Sequence, residues 1–376
     1  VHRFQLTTTI CFGPDALSAL ADLSGRRVLI VTDAFMASAP LMDQVRSALH
    51  GATVEVFDRV LPNPDIATIT DGLRDFLSFG PDAIVALGGG SPIDTAKAVR
   101  KLALEQGHDL PCGFHVIPTT SGSGSEVTSF AVVTDPASQA KLPLTSVDML
   151  PEVAILDPEA VRTAPPRLTA DAGMDAVSHA VEAYVAQCAS DFSDALAEKA
   201  LRMILRYLPR AFRDGDDVEA REHQHNAATM AGISFQNAGL GIVHGLSHAI
   251  GGSFHVAHGR LNGILLPSVI TFNAGRLGFG PNALTPVGAR YAELARSVGI
   301  TASNDRNLVL GLVARIERLR AELDMPATVS QAGVDKKEFL ASVDKLAETA
   351  LVDFCTVSNP VDVTVADLAG LLKAVA

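Results

Sequence analysis

The sequence predicts an α/β dinucleotide-binding domain followed by an all-helical domain. Short β-branched runs alternate with helical patterns through about the first 160 residues, three consecutive glycines join a buried strand to a helix at Gly88 to Gly90, and long amphipathic patterns replace the strands after Pro165-Pro166. At 376 residues, 48% hydrophobic and 19% charged, the chain can bury large cores and is too apolar to be disordered. Against 42 acidic residues stand 30 Lys plus Arg, and the resulting charge of −12 argues against nucleic acid as a partner. Mean hydropathy is +0.25, but no run approaches the ~18 consecutive apolar residues needed to span lipid, so the apolar content is assigned to buried elements and no membrane partner is expected. The first residues, VHRFQLTTTICFG, lack the order of a secretion signal, which makes a cytoplasmic address the default. Cys11, Cys112, Cys188 and Cys355 are scattered without a CxxC pair. A bound metal must therefore rely on nitrogen and oxygen.

In chain order, RVLIVTD (27–33) reads as a strand, 41–49 as a helix, TVEVF (53–57) as a strand and 66–79 as a helix. DAIVALGGGS (82–91) follows as a strand running into glycines, and 92–105 as a helix with Pro92 in its first turn and Ser91 as its cap. CGFHVIPTTSGSGSE adds a short strand and a second polar, glycine-rich turn. Consecutive prolines disfavour helix on both sides, so the domains are expected at 1–165 and 166–376. The REHQHN stretch around His223 and His225 is expected to be a solvated helix face.

Without Cβ atoms, Gly88 to Gly90 let the backbone approach a pyrophosphate, and free N–H groups at the following helix start favour an anion. TTSGSGSEVT (119–128) supplies a second loop dense in hydroxyls, and two such loops at neighbouring strand ends form a cleft for a dinucleotide. Asp33 ends the first strand, where a carboxylate accepts from ribose hydroxyls and repels a 2′-phosphate by roughly 4 kcal/mol for unit charges about 4 Å apart at an effective dielectric near 20. NAD is therefore expected over NADP.

GMDAVSHAVEAY places Asp175 and His179 on one helix face, and VHGLSHAIGGSFHVAHG supplies His244, His248, His255 and His258. Gly251 and Gly252 are expected to break that second helix and let His258 return. One carboxylate with two or three imidazoles suits Fe(II), Zn(II) or another first-row divalent ion. Spacing leaves open whether His244 or His248 is the ligand.

GGGSPIDTAKA, PTTSGSGSEVT, GMDAVSHAVEAY and VHGLSHAIGGSFHVAHG, in this order, resemble the iron-containing (group III) alcohol dehydrogenases, and the resemblance runs from FGPDAL to SNPVDVTVADLAGLL. It implies an N-terminal dinucleotide domain, a helical metal domain and an active site between them. It places Asp175, His179, His244 and His258 as ligands of Fe(II), with Zn(II) as the other candidate, and His248 as the non-ligand active-site histidine. Asp33, Asn63, Gly89, Gly90, Ser91, Asp94, Thr119, Thr120, Ser123, Thr128 and Lys141 fall on positions lining the NAD site. His255 has no role in the pattern and is taken as a cleft-wall residue.

Segments such as ASDFSDALAEKA and HNAATMAGISFQNAGLG look like the propanol and ethanol dehydrogenase branch associated with bacterial microcompartments. The implied reaction is reversible hydride transfer between NAD(H) and a short primary alcohol or its aldehyde, with the metal as Lewis acid and His248 relaying the proton. The implied assembly is a homodimer or larger homo-oligomer. Phe130, Phe235 and Phe254 are candidate walls of an apolar pocket. Two other readings remain open, a polyol dehydrogenase and a lyase similar to dehydroquinate synthase. The second lacks the Lys/Arg cluster that an anionic substrate requires.

Overall fold

A computed structural model describes residues 3–134, 141–275 and 284–376. Its strands are β1 (Thr9–Phe12), β2 (Arg27–Val31), β3 (Thr53–Phe57), β4 (Ala83–Gly88), β5 (Phe114–Pro118), β6 (Phe130–Thr134), β7 (Lys141–Thr145) and β8 (Val153–Leu156). Helices α1 (Ala34–Ala37), α2 (Pro40–Ala48), α3 (Ile66–Phe79), α4 (Gly90–Glu105) and α5 (Pro158–Arg162) alternate with them. The later helices are α6 (Pro166–Val185), α7 (Asp191–Arg213), α8 (Val218–Ala238), α9 (Ile242–Phe254), α10 (His258–Asn273), α11 (Pro286–Ser297), α12 (Asp305–Glu322), α13 (Lys336–Leu351) and α14 (Val365–Ala374). Contacts divide the chain into two units, one of 5–165 with 215–232, the other of 166–214 and 233–376 with the N-terminal residues up to Phe4.

In the first unit six parallel strands lie in the order β1-β8-β5-β4-β2-β3, and β6 pairs with β7 as a separate antiparallel hairpin. Alternation along the central strands creates two apolar layers. Val28, Ile30, Val85 and Leu87 pack with Leu20, Met42 and Val45 on one face, while Leu29, Val31, Ile84 and Ala86 pack with Ile69, Phe76, Ile93 and Val99 on the other. Each such fully buried aliphatic side chain stabilises the fold by ~1.5–3 kcal/mol relative to exposure. Strands β2, β4 and β5 are buried on both faces, which is why they read as near-continuous apolar runs. Four strands were not read from the sequence: β1 and β8 have four residues each, and β6 pairs with β7, which carries Pro143.

The second unit is helical among its described residues, and α6 packs against α7 and α10 while α9 packs against α10 and α13. Pro166 is the first residue of α6 rather than a breaker, because a helix start has no partner for the N–H that proline lacks. A Cβ on Gly259 would fall 2.0 Å from the Asp171 carbonyl oxygen, so α10 and α6 meet backbone to backbone. The expected break at Gly251 and Gly252 does not occur. Helix α9 runs to Phe254, and His255, at φ 55°, closes it by donating its N–H to the Gly251 carbonyl. No helix among the described residues is long and apolar enough to cross a membrane.

Candidate metal and dinucleotide sites

The carboxyl ends of β2, β4 and β5 lie side by side, since Val31 pairs with Ala86 and Gly88 with Pro118. Asp33, the Gly88 to Ser91 turn and Thr119 therefore share one sheet edge. Gly88 has φ 149°, and a Cβ there would meet the Pro92 ring at 2.5 Å, so only glycine makes this turn. Helix α4 starts at Gly90 with Gly89 as its N-cap, two residues before Ser91, the expected cap, and no side chain caps it. Its first N–H groups thus face the turn. The second loop adjoins it: a Cβ on Gly89 would lie 3.1 Å from Thr120, and one on Gly90 3.7 Å from Ser123. Asn63, held at φ 57°, donates its N–H to Ser91 Oγ at 3.3 Å.

Two of the expected cofactor residues act on this loop from behind. Asp94 accepts from Ser125 Oγ at 2.7 Å and from the Val132 N–H at 2.9 Å. Thr128 is buried and accepts from Lys97 Nζ at 3.0 Å. Lys97 was not singled out in the sequence, yet its ammonium is fully buried and donates also to Ser125 Oγ and the Phe130 carbonyl, both at 2.9 Å. Burial brings its pKa down to about 8, against the opposing pull of Asp94 and Glu126. Asp33 accepts the Met36 N–H through Oδ1 at 2.8 Å and so caps α1. The side chain of Lys141 lies outside the described residues.

The REHQHN stretch is not a solvated face. His225 is 1% exposed and pairs through Nδ1 with Ser121 Oγ at 3.0 Å, and Arg221 is buried donating to the carbonyls of Gly215 and Ala164. Hydrogen bonding to backbone and loop is what allows these polar groups inside. Burial lowers the His225 pKa to about 4.

In the helical unit α6, α9 and α10 bring four expected ligands together. Asp175 Oδ1 lies 3.6 Å from His179 Nε2, 3.6 Å from His244 Nε2 and 3.5 Å from His258 Nε2. Ligand atoms about 2.1 Å from one ion at tetrahedral angles stand roughly 3.4 Å apart. Asp175, His244 and His258 place theirs all within 4.8 Å of one another, a group that could hold a first-row divalent ion, while His179 approaches it through Asp175. The ring nitrogens are also sorted. His244 Nδ1 faces Glu182 Oε2 at 2.5 Å and His248 Nδ1 faces Asp353 Oδ2 at 2.9 Å. His258 Nδ1 meets Ser247 Oγ at 2.9 Å, and that hydroxyl donates its proton to the His258 carbonyl at 3.2 Å, so Nδ1–H is the donor. In a neutral ring, a proton on Nδ1 leaves the inward Nε2 with its lone pair.

Asn262, one turn beyond His258, donates Nδ2 to Asp175 Oδ1 at 2.8 Å. Although burial works to raise it, the carboxyl of Asp175 is held far below its usual range by His179, His258 and His244. Burial opposes charge on His244, but Glu182 and Asp175 prevail and raise it to about 9. Burial instead takes His258 well below its usual value.

His248 sits beside this group, its ring stacked on His258 at 5.1 Å and on Phe354 at 5.5 Å. Phe235 is buried against His179 at 4.4 Å. Phe254 lies 5.8 Å from Phe339, and Phe130 belongs to the other unit beneath Lys97. His255 is exposed at the end of α9. Glu182, Asn262 and Asp353 were not read from the sequence. Only Glu182 left a signal there, a carboxylate one turn after His179.

Residues 7–158 match the family model described as iron-containing alcohol dehydrogenase, and 169–376 match the C-terminal model of the Fe-containing alcohol dehydrogenase family. The 1-propanol dehydrogenase of Salmonella typhimurium is 38% identical over 363 residues, 96% of each chain. An NADPH-dependent butanol dehydrogenase of Clostridium saccharobutylicum is 37% identical over 375 residues, covering 95% of this chain and 94% of the other. Among solved structures, a 1,3-propanediol oxidoreductase superposes with a TM-score of 0.91 at 31% identity over 100% of both chains.

Proposed function

The chain belongs to the iron-containing alcohol dehydrogenase family, and on that premise we propose that it interconverts short-chain primary alcohols and aldehydes with NAD(H), at a divalent metal centre held by Asp175, His179, His244 and His258. The observation that carries this reading is the approach of three imidazole Nε2 atoms to one buried carboxylate oxygen within 3.6 Å. A divalent ion held there, Fe(II) by the family's name, would supply Lewis-acid polarisation of an alcohol or aldehyde oxygen. A nicotinamide cofactor would supply the hydride-accepting carbon.

The chain's own residues supply the rest. Backbone N–H groups at the start of α4 favour a pyrophosphate, and Thr119, Thr120 and Ser123 offer hydroxyls beside it. Asn63 and Lys141 belong to the same cofactor reading, as does the assignment of cofactor binding to 1–165 and of metal and substrate to 166–376. Asp33 selects NAD over NADP by charge, in contrast to the NADPH-dependent butanol relative. With Nδ1 held by Asp353, His248 has Nε2 left to take up or release the alcohol proton. The aromatic faces of Phe235 and Phe354 beside His179 and His248 favour an apolar substrate.

A diol is the second reading, favoured by the match to a 1,3-propanediol oxidoreductase. Assembly as a homo-oligomer, in the cytoplasm or within a microcompartment, comes from the family likeness, and light scattering of the purified protein checks the first part. The reaction itself is tested by stripping metal with chelator. NAD-linked oxidation of ethanol, 1-propanol and 1-butanol should vanish and return with Fe(II), and activity unchanged after verified metal removal overturns the proposal. Faster turnover of 1,2- or 1,3-propanediol than of 1-propanol would favour the diol reading.

A further inference from the structure

Glu182 lies on α6 one turn beyond His179 and is 3% exposed. A buried carboxylate left without partners is strongly destabilising, and both oxygens of this one are used. Oε1 accepts the Val243 N–H at 2.7 Å in the first turn of α9, and Oε2 faces His244 Nδ1 at 2.5 Å. Gly241, the N-cap of α9, offers no side chain of its own. A Cβ there would come within 2.8 Å of both Glu182 Oε1 and Asn359 Oδ1, and Asn359 accepts the Ile242 N–H at 3.3 Å. Helix α9 is thus capped by residues distant in sequence. One of them reaches past the cap to the imidazole ring.

We infer that Glu182 is a positioning residue of the metal centre: it holds His244 as the Nδ1–H tautomer, so that the Nε2 lone pair, which accepts from Asn262 Nδ2 at 3.2 Å beside Asp175 Oδ1, is available to ligate an ion. The inference rests on the reading of Asp175, His179, His244 and His258 as metal ligands. The same oxygen pair fixes the start of the helix and the proton on the ring, which joins the position of the ligand to its chemistry. Partners of this kind, hydrogen-bonded to a ligating histidine, commonly change metal affinity 10- to 100-fold.

The two jobs separate in two variants. In Glu182→Gln the amide oxygen still accepts from Val243, so the amide nitrogen is turned toward Nδ1. A donor there requires Nδ1 to accept and moves the ring proton onto Nε2, where it blocks ligation. In Glu182→Met the cap is lost, but neither tautomer is imposed. Cobalt(II) affinity, read by its visible absorption in competition with a chelator, should fall about 10- to 100-fold in Glu182→Gln and less in Glu182→Met. Thermal stability of the chelator-treated proteins should rank the other way, with Glu182→Met the lower. Affinities within twofold of the parent in both variants, or affinities that follow stability, overturn the role of Glu182. A parent protein that binds no cobalt(II) overturns the metal-site reading instead.

Discussion

Asp33 serves two demands with one carboxylate. Oδ1 caps α1 through Met36, and the charge is placed at the sheet edge beside the glycine turn. Asp33→Gly should raise use of NADP relative to NAD by about tenfold or more, since 1.4 kcal/mol is a factor of ten, with little loss of stability because glycine is a tolerable N-cap. Steady-state kinetics with both cofactors decides it, and an unaltered ratio counts against the ribose role. His244→Ala should remove metal and activity together. By contrast, His248→Ala should retain metal while turnover falls about 10²- to 10⁴-fold, the usual range for a general acid–base group. Loss of metal from His248→Ala would exchange the two assignments. Spacing could not separate these histidines because they share one face of α9. What distinguishes them is the approach of His244 Nε2 to Asp175 Oδ1 at 3.6 Å, and the carboxylates that orient the two rings lie 62 and 105 residues away. Asp175 and His179 were legible because a single helix brings them together.

Among the elements, α4 and the 119–128 loop act as a unit joined by Lys97. Its pKa is depressed to about 8 by burial, so the unfolded chain binds more protons than the folded one between about pH 8 and the ordinary lysine value. Stability contributed by this group therefore rises with pH across that window, by on the order of 3 kcal/mol. In Lys97→Met the rise should be missing, and the stability gap between parent and variant in urea should widen from pH 8 to pH 10. A gap independent of pH would show that the ammonium carries no desolvation penalty. Helix α3 was legible to the residue because its apolar positions recur on one face. The β6–β7 hairpin was not, since its pairing partners follow a Pro-containing, weakly alternating run. The REHQHN stretch was misread for a related reason: polarity signals exposure only where no loop and no backbone carbonyl waits to receive it, and Ser121 and Ala164 do.

For the whole molecule, two units with separate cores make a single unfolding transition an unsafe assumption. Ligands should report on each in turn. Metal at about 1,000 times its dissociation constant should add roughly 4 kcal/mol to the unit that binds it, and hydrogen exchange should slow in α6, α9 and α10. NAD should instead protect residues 88–94 and 119–128. Slowing by metal in the glycine loops rather than in these helices would refute the assignment of metal to 166–376.

The contact at Gly259 bears on which ions are accepted at all. Its Cα sits against the Asp171 carbonyl, and an added Cβ would also lie 3.0 Å from Asp175 Cβ. The spacing between the main chains that carry Asp175 and His258 is therefore set by direct contact, which no change of rotamer can pull apart. Such a site acts as a caliper. Calcium, a hard ion that takes six to eight oxygen ligands, meets one carboxylate and imidazole nitrogens between the jaws, a donor set that suits Fe(II) or Zn(II) instead. Gly259→Ala should force the jaws open, and the metal affinity of the purified variant should fall.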